Sequence, residues 1–375
     1  MRRTVAPRPA IMLSIFHLDT GMELRGGQRQ LLLLAERLQE RKHQQVVACP
    51  EGSKLGERAR REGWPVLGLP GHSQLKNVLW LRRQLRADLP QILHAHDGRA
   101  QTLAWMASLG FPVRRVASRR VSFLPPYPYL HRLKYQYSCH AVIAVSSYVR
   151  QLLIQLGVPG AKIEVIPDGV DAPAVWPDAV LCSQVRAEWG VSKEEFVFGN
   201  VGAMTAEKGQ EVAIEAMALL RDRLPQARLF LAGDGPTRER VEARIQKAGL
   251  ENRVRLLGYV EDLTRFFAGV DLFVMPSLTE GLGSSVLLAM AHGLPVIASQ
   301  VGGLPEIVEE GKTGWLAPPG SAIAFAEVMA DAAADRERLR TLAQAARRCA
   351  LAFSTETMAD RTEALYRRLL GSGKS

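Results

Sequence analysis

The chain has 375 residues, of which 47% are hydrophobic, and this length predicts about two domains of ordinary size. Its cysteines, Cys49, Cys139, Cys182 and Cys349, are scattered without a CxxC pair, which argues against a disulfide framework or a zinc site and suits a reducing cytoplasm. No apolar run reaches the roughly 18 residues that a membrane-spanning helix needs.

The charge is unevenly distributed. Residues 1–170 contain 25 Lys+Arg against 11 Asp+Glu, whereas the remainder contains 23 against 27, for a net charge of +10. A basic first half suits nucleic acid, an anionic membrane surface or an acidic acceptor. Because no RNA-binding aromatic pattern or helix-turn-helix accompanies the charge, nucleic acid is not an expected partner. The basic start runs directly into an apolar stretch too short for a signal peptide, so we expect a cytoplasmic protein.

Apolar runs alternate with helical patterns along the first half. The predicted strands are 11–17, 45–49, 65–69, 92–96, 113–118, 140–145 and 162–166. The predicted helices follow Gly27, cover 54–62, 73–87 and 147–156, and include a short one near Tyr137. A segment with two prolines, 173–178, is typical of a linker.

The second half repeats this alternation. The predicted strands are 196–201, 228–232, 254–257, 270–276 and 295–298, and the predicted helices include 210–220, one ending at Lys247, one opening near Ser284 or Ser285, and 355–370. Such alternation predicts an α/β protein with two doubly wound parallel-sheet, Rossmann-like domains facing across a cleft. We expect domains at 1–175 and 176–353, and a C-terminal helix at 354–375 that returns to the first domain.

Three places in the pattern suggest a binding site. Gly26-Gly27 lies at a strand-to-helix turn, where glycine lets a ligand approach the backbone; a flexible loop before an ordinary helix is the alternative. His94 and His96 end a predicted strand, and His96 is the better placed to face a cleft, although a lone histidine there is more often structural. Glu280 lies in a glycine turn before a helix start, which suits a ligand with both a phosphate and hydroxyl groups.

The segment 121–137 mixes aromatic residues, prolines and cations beside a pair of arginines. It is either a solvated loop that packs its tyrosines on the domain or a surface that contacts lipid headgroups or an anionic acceptor. The candidate acceptor or membrane residues are Arg119, Arg120, Tyr127, Tyr129 and Lys134.

Seven motifs of the second half occur in order. They are Asn200-Val-Gly with Lys208-Gly209, Ala232-Gly-Asp-Gly-Pro236, Gly258-Tyr-Val260, Pro276-Ser with Glu280-Gly-Leu-Gly283, Ala289-Met-Ala-His-Gly-Leu-Pro-Val-Ile-Ala298, Gly302-Gly-Leu-Pro-Glu306 and Gly311-Lys-Thr-Gly314. With Gly26-Gly27, His94-Ala-His96-Asp97 and Ile166-Pro-Asp-Gly-Val-Asp171, they make the chain resemble the family-4 retaining glycosyltransferases of the B-type, two-Rossmann-domain fold.

The resemblance implies transfer of a sugar from a nucleotide-sugar donor, with retention at the anomeric carbon and no metal or cofactor. In the family, the lysine matching Lys208 contacts the donor diphosphate, where leaving-group charge develops. The glutamate matching Glu280 contacts the donor sugar, and the histidine matching His96 reaches it when the cleft closes. The matching donor-binding residues are Gly26, Gly27, Gly258, Tyr259, Val260, Gly281, Leu282, Gly283, Ser284 and Ser285.

Two positions depart from the family pattern. Leu288 stands where a second glutamate would bind the ribose hydroxyls. Each charge-assisted hydrogen bond of that kind contributes roughly 1.5–3 kcal/mol, so its absence would lower donor affinity. Ala203 stands where many members carry an arginine, which leaves Lys208 as the identified cation. An enzyme remains the main expectation, because Lys208, Glu280 and His96 are present. A weakened paralogue that acts as a nucleotide-sugar-binding sensor or scaffold is the alternative.

The resemblance also bears on the acceptor. Enzymes of this fold commonly act on lipid-linked or lipopolysaccharide-core saccharides, so we expect a saccharide or glycolipid acceptor. The basic first domain would then dock on the anionic cytoplasmic face of the inner membrane.

Overall fold

The computed structural model describes residues 12–71, 73–123, 128–173 and 178–371. The strands are β1 (Ser14–Leu18), β2 (Gln44–Pro50), β3 (Val66–Leu69), β4 (Ile92–Ala95), β5 (Arg114–Arg119), β6 (Ala141–Ala144), β7 (Ile163–Val165), β8 (Phe196–Val201), β9 (Ala227–Ala232), β10 (Val254–Gly258), β11 (Leu272–Met275), β12 (Val296–Ser299) and β13 (Gly314–Ala317).

Helices occupy most connections between these strands, and three more follow the last strand. They are α1 (Gly26–Glu40), α2 (Lys54–Arg61), α3 (Gln74–Ala87), α4 (Gly98–Ala107), α5 (Pro128–Ser138), α6 (Ser147–Gln155), α7 (Ala179–Trp189), α8 (Gln210–Leu219), α9 (Arg238–Ala248), α10 (Leu263–Ala268), α11 (Ser284–Ala291), α12 (Ala322–Ala334), α13 (Arg336–Leu351) and α14 (Thr355–Gly371). None of the described helices combines the length and apolar character that crossing a membrane requires.

Two parallel sheets form the framework. The first has the strand order β3-β2-β1-β4-β5-β6-β7 and the second the order β10-β9-β8-β11-β12-β13. Strands such as Leu272–Met275 are buried along their whole length, as expected for a sheet covered by helices on both faces. This arrangement confirms the predicted α/β fold class.

The last helix crosses back to the first sheet. Met358 and Tyr366 of α14 are buried in one hydrophobic cluster with Ile15 of β1 and Leu34 of α1. Outside that cluster, Arg41 forms ion pairs with acidic side chains of α14, including Glu363 at 2.8 Å. The chain therefore begins and ends its described fold in the first domain.

Candidate active site

Each sheet reverses its strand order at one point, and these two points face each other across the cleft. The reversal lies between β1 and β4 in the first sheet and between β8 and β11 in the second. In open parallel sheets, ligands bind outside the carboxyl ends of the strands at such a point. Gly26 follows β1, His96 follows β4, Lys208 follows β8 and Glu280 follows β11. The topology therefore gathers the predicted residues around one crevice.

Lys208 and Glu280 form an ion pair. The Nζ atom of Lys208 lies 2.6 Å from Oε2 of Glu280, which also accepts a hydrogen bond from Ser277 at 3.3 Å. The Lys208 and Glu280 side chains are 22% and 12% exposed, so both retain a route to a ligand in the cleft. Gly209 adopts φ +62°, and a Cβ there would lie 2.1 Å from the carbonyl oxygen of Pro276. Glycine is needed because the two loops that carry the pair touch at this point.

Two helices begin beside the cleft and approach each other. A Cβ on Gly26, the first residue of α1, would lie 3.4 Å from Oγ of Ser284, the first residue of α11. The free backbone N–H groups and the positive dipole ends of both helices therefore serve the same region. A diphosphate is the kind of anion that such a site receives.

Arg120 extends into this region from the end of β5. Its Cδ would lie 3.8 Å from a Cβ on Gly27, and its Nε donates to Oδ1 of Asp168 at 3.0 Å. Its Nη1 is buried and has no hydrogen-bond partner among the described residues. Burial raises the pKa of the Asp168 carboxyl, and Arg120 opposes that rise. A buried guanidinium N–H without a partner is costly, so Arg120 is a candidate for binding a ligand beside the α1 and α11 starts.

The predicted acceptor or membrane residues are dispersed. Arg119 is 7% exposed and donates to the Tyr135 hydroxyl and the Phe123 carbonyl, so it has no surface for a lipid contact. Arg120 faces the interdomain cleft instead of an outer surface. The prediction of a membrane contact is therefore wrong for Arg119, because it assumed that a cation beside a loop is solvated, whereas an acceptor contact through Arg120 stays a prediction. Tyr129 is 69% exposed, and Tyr127 lies outside the described residues.

A second, open cleft of about 690 Å³ lies in the first domain. It is lined by Thr20, Gly21, Gln28, Gln74, Asp97, Gly98, Arg99, Thr102, His131 and Lys134. The Lys134 ammonium donates to the Gly98 carbonyl at 2.5 Å, and burial lowers the pKa of this lysine. Because Asp97 directly follows His96, this cleft adjoins the candidate site, and the predicted acceptor residue Lys134 lines it.

Three buried histidines meet at the carboxyl ends of β1 and β4. His17 pairs with His94 in the strand register, and His17 Nδ1 lies 3.1 Å from His96 Nε2. His94 contacts the hydroxyls of Tyr366 at 2.6 Å and Ser118 at 2.8 Å, and its ring lies tilted by 34° against that of His96 with centroids 4.0 Å apart. His17 was not among the predicted site residues, although parallel strands that end together bring their last residues together.

The histidine cluster is also the one group of potential metal ligands found among the described residues. Both nitrogens of His94 and both of His17 already have protein partners. An ion shared by all three would have to break these hydrogen bonds. Burial lowers the pKa of His17 to about 4 and holds the pKa values of His94 and His96 well below 6.5, which keeps the rings neutral. A neutral hydrogen-bonded cluster explains these contacts without a metal.

The two domains touch directly around Gly281. Ser146 donates to the Gly281 carbonyl at 2.7 Å, and a Cβ on Gly281 would lie 2.1 Å from the carbonyl oxygen of Arg120. Beside it, the Glu306 carboxylate accepts from the backbone amides of Ser147 and Tyr148, each at 2.8 Å, at the start of α6. These cross-domain contacts, which the sequence did not predict, join the two domains beside the cleft.

The predicted nucleotide-binding residues line the second domain's side of the cleft. Gly258 ends β10 with φ +67°, and the exposed Tyr259 accepts a hydrogen bond from Arg29 of the first domain at 3.0 Å. Leu288 lies one helical turn after Ser284, on the half-buried face of α11 that begins at the cleft. A leucine on this face offers no acceptor to a ribose.

Two family models match consecutive parts of the chain. Residues 24–172 match the model described as Glycosyltransferase Family 4, and residues 183–349 match the model described as Glycosyl transferases group 1. The chain is a family-4 glycosyltransferase. Both the predicted family and the predicted enzyme class are thereby confirmed.

Curated relatives of this glycosyltransferase act on different molecules. It is 29% identical over 340 residues to the GDP-mannose-dependent alpha-(1-6)-phosphatidylinositol monomannoside mannosyltransferase of Mycolicibacterium smegmatis, a match that covers 83% of this chain and 86% of the relative. It is 33% identical over 181 residues to the 2-deoxystreptamine glucosyltransferase of Streptomyces kanamyceticus, covering 48% of this chain and 47% of the relative.

Solved structures share the fold. HepE of Anabaena, solved in complex with UDP-glucose, superposes with a TM-score of 0.86 at 24% identity, over 96% of this chain and 100% of that one. WaaG, a glycosyltransferase involved in lipopolysaccharide biosynthesis, superposes with a TM-score of 0.74 at 17% identity, over 94% of this chain and 99% of that one.

Proposed function

We propose that this glycosyltransferase transfers a sugar from a nucleotide-sugar donor to a saccharide or glycolipid acceptor, with retention at the anomeric carbon and without a metal ion. The observation that carries the proposal is the approach of the α1 and α11 N-termini beside the Lys208–Glu280 pair. This arrangement offers a diphosphate both helix-dipole stabilisation and a cation, and offers the attached sugar a carboxylate acceptor.

The cations of the site come from both domains. When the bond between sugar and diphosphate breaks, its electron pair goes to the diphosphate, and fixed positive groups stabilise that charge. Lys208 supplies one such group, and Arg120 supplies a second through its orphan Nη1. Arg120 thereby offsets the alanine at position 203, where the family resemblance implies an arginine. Fixed cations of this kind are the basis for proposing a metal-independent reaction.

The acceptor enters through the cleft lined by Arg99 and Lys134. This cleft adjoins His96, so an acceptor hydroxyl can approach the donor sugar from the first domain. A membrane-bound acceptor is supported by the exposed aromatic side chains of Phe123, Tyr129 and Tyr137 around α5, which are 59%, 69% and 55% exposed. Exposed aromatic side chains of this kind commonly insert at the boundary between lipid headgroups and acyl chains. We therefore propose a cytoplasmic enzyme that docks on an anionic membrane surface.

A donor panel tests the central proposal. The protein is incubated with UDP-glucose, UDP-galactose, UDP-N-acetylglucosamine or GDP-mannose, with and without EDTA, and nucleoside diphosphate release is measured. Turnover of one donor that persists in EDTA is expected, and NMR of the first-formed product should show the donor's anomeric configuration. Loss of turnover in EDTA would contradict the metal-free part, and an inverted product would contradict retention.

A second candidate function rests on Leu288, which leaves the α11 face without a ribose acceptor. The protein would then be a weakened paralogue that binds nucleotide sugars as a sensor or scaffold. Calorimetric binding of a donor with no turnover of any donor would favour this candidate. Sedimentation with vesicles of phosphatidylglycerol and phosphatidylcholine at low salt tests the membrane contact separately, because it needs no turnover.

A further inference from the structure

A chain of hydrogen bonds fixes where the protons of the histidine cluster lie. The side-chain Nε2 of Gln45 donates to the carbonyl oxygen of Ala35 at 2.8 Å. Because a carbonyl oxygen only accepts, this contact orients the amide and turns Oε1 of Gln45 toward His17. Oε1 lies 3.0 Å from Nε2 of His17 and can also only accept. The proton of His17 therefore resides on Nε2.

The same logic continues to His96. His17 is fully buried and neutral, so a proton on Nε2 leaves its Nδ1 with a free lone pair. Nδ1 lies 3.1 Å from Nε2 of His96, which must donate in this contact. The neutral His96 ring then has an unprotonated Nδ1, which is buried and has no hydrogen-bond partner among the described residues.

We infer that Gln45 and His17 are positioning residues that hold His96 in the Nε2–H tautomer and so present its Nδ1 as an acceptor for a hydroxyl of the donor sugar. Buried acceptors are normally satisfied, and a sugar hydroxyl is a donor that the cleft would bring to this point. The identity of the ligand rests on the proposed function, whereas the tautomer rests on the contacts alone.

His94 provides a contrast inside the same cluster. Its nitrogens contact the hydroxyls of Ser118 and Tyr366. A hydroxyl can donate or accept, so these partners permit either tautomer. Within this cluster, the hydrogen bonds that run from Gln45 through His17 to His96 begin at the Ala35 carbonyl, which can only accept. Each donor in this series is therefore fixed.

Nitrogen NMR tests the tautomer directly. The full-length protein is labelled with 15N-histidine, and long-range 1H–15N spectra distinguish protonated from unprotonated ring nitrogens; His17→Gln and His96→Gln variants assign the signals. Both rings are expected to show a protonated Nε2 and an unprotonated Nδ1 at neutral pH. A protonated Nδ1 on His96 would overturn the inference.

Three variants separate positioning from simple disruption. Gln45→Leu removes the acceptor for His17, so His96 should lose its single tautomer. In Gln45→Glu, a protonated carboxyl would donate to the Ala35 carbonyl in place of the amide and would still accept from His17, so this variant should retain the tautomer. It also provides a folded variant if the leucine variant fails to fold. Gln101→Leu is the matched control, because Gln101 is a buried glutamine of the same domain that bonds Ser138 instead of a histidine. A folded Gln45→Leu protein with an unchanged His96 tautomer would contradict the inference.

Kinetics then test the consequence for the donor found active in the panel. Loss of an oriented acceptor should lower kcat/KM by about 10-fold in Gln45→Leu, with near-normal values in Gln45→Glu and Gln101→Leu. A changed tautomer with unchanged kinetics would refute the positioning role. If the wild-type protein turns over no donor, the proposed function fails while the NMR result on the tautomer still stands.

Discussion

Replacing Lys208 by alanine should damage turnover far more than folding. The Lys208 ammonium lies 2.6 Å from the Glu280 carboxylate, at the crevice where we place the donor diphosphate. Removing one fixed group that stabilises charge in a transition state typically costs about 3–4 kcal/mol, or about 10²–10³ in kcat. We therefore expect kcat to fall by about that factor.

The effect on stability has a different origin. Without Lys208, the Glu280 carboxylate is only 12% exposed and keeps one hydroxyl partner, Ser277. An under-satisfied buried acceptor costs roughly 1–3 kcal/mol, which should appear as a lower unfolding midpoint. Replacing Glu280 by alanine as well removes the unpaired charge. The double variant should therefore regain most of the lost stability and none of the lost turnover.

A second ion pair supplies the matched control. Arg228 and Glu195 lie 2.6 Å apart in the same domain, with side chains 27% and 20% exposed, away from the cleft. Arg228→Ala should lower the unfolding midpoint comparably and leave donor turnover unchanged. Urea unfolding and nucleotide release are measured on the wild-type protein and on all three variants. If Lys208→Ala keeps wild-type turnover, or if Arg228→Ala loses it, the assignment of Lys208 to the chemistry is refuted.

Three further predictions concern the histidines, the closure contact and the ribose position. Burial lowers the His17 pKa from 6.5 to about 4, so the unfolded chain takes up the proton first as the pH falls. The free energy of unfolding should therefore fall by about 3 kcal/mol as the pH drops from 6.5 to about 4. Urea titrations of wild type and His17→Asn would show whether the pH dependence of the free energy of unfolding comes from this ring. Glu306→Ala removes two amide contacts at the start of α6, so the form with the two domains in contact should lose about 0.5–2 kcal/mol of stability. If the radius of gyration and the donor KM stay unchanged, Glu306 does not hold the domains together. Leu288→Glu restores a ribose acceptor and should tighten nucleotide binding about 10-fold by calorimetry, whereas equal or weaker binding would remove position 288 from the ribose site.

The alternation of apolar runs and helical patterns predicted the two parallel sheets, and some of the elements that it missed can be explained by their own sequence. The strand β13, Gly314–Ala317, was not predicted because it begins on the last glycine of the motif Gly311-Lys-Thr-Gly314, where glycines indicate a turn. The helix α4 was also not predicted, since its start at Gly98 resembles a turn. Its cap is Asp97, whose carboxylate accepts from the amides of Arg99 and Ala100. Asp97, which belongs to the motif that ends at the candidate site, therefore acts as the N-cap of a helix.

The site was less predictable, because the direction of a side chain depends on distant parts of the chain. Arg119 and Arg120 are adjacent cations at a strand end, yet one is buried under Tyr135 and the other faces the cleft. Nothing in the local sequence distinguishes these outcomes from exposure. The cross-domain contacts of Glu306 are equally hidden, since they depend on the angle between the two sheets.

The positive groups of the candidate site come from both domains, so the charge around a bound diphosphate depends on whether the cleft is open or closed. Lys208 belongs to the second domain and Arg120 to the first, and the two helix starts are likewise divided between the domains. An open cleft would therefore leave the proposed diphosphate with half of its positive partners. Closing would complete the electrostatic site at the moment when leaving-group charge must be stabilised, and opening would weaken the hold on the nucleoside diphosphate. Contacts such as that of Glu306 with α6 must then be weak enough to break in each cycle, which fits their exposed position at the rim.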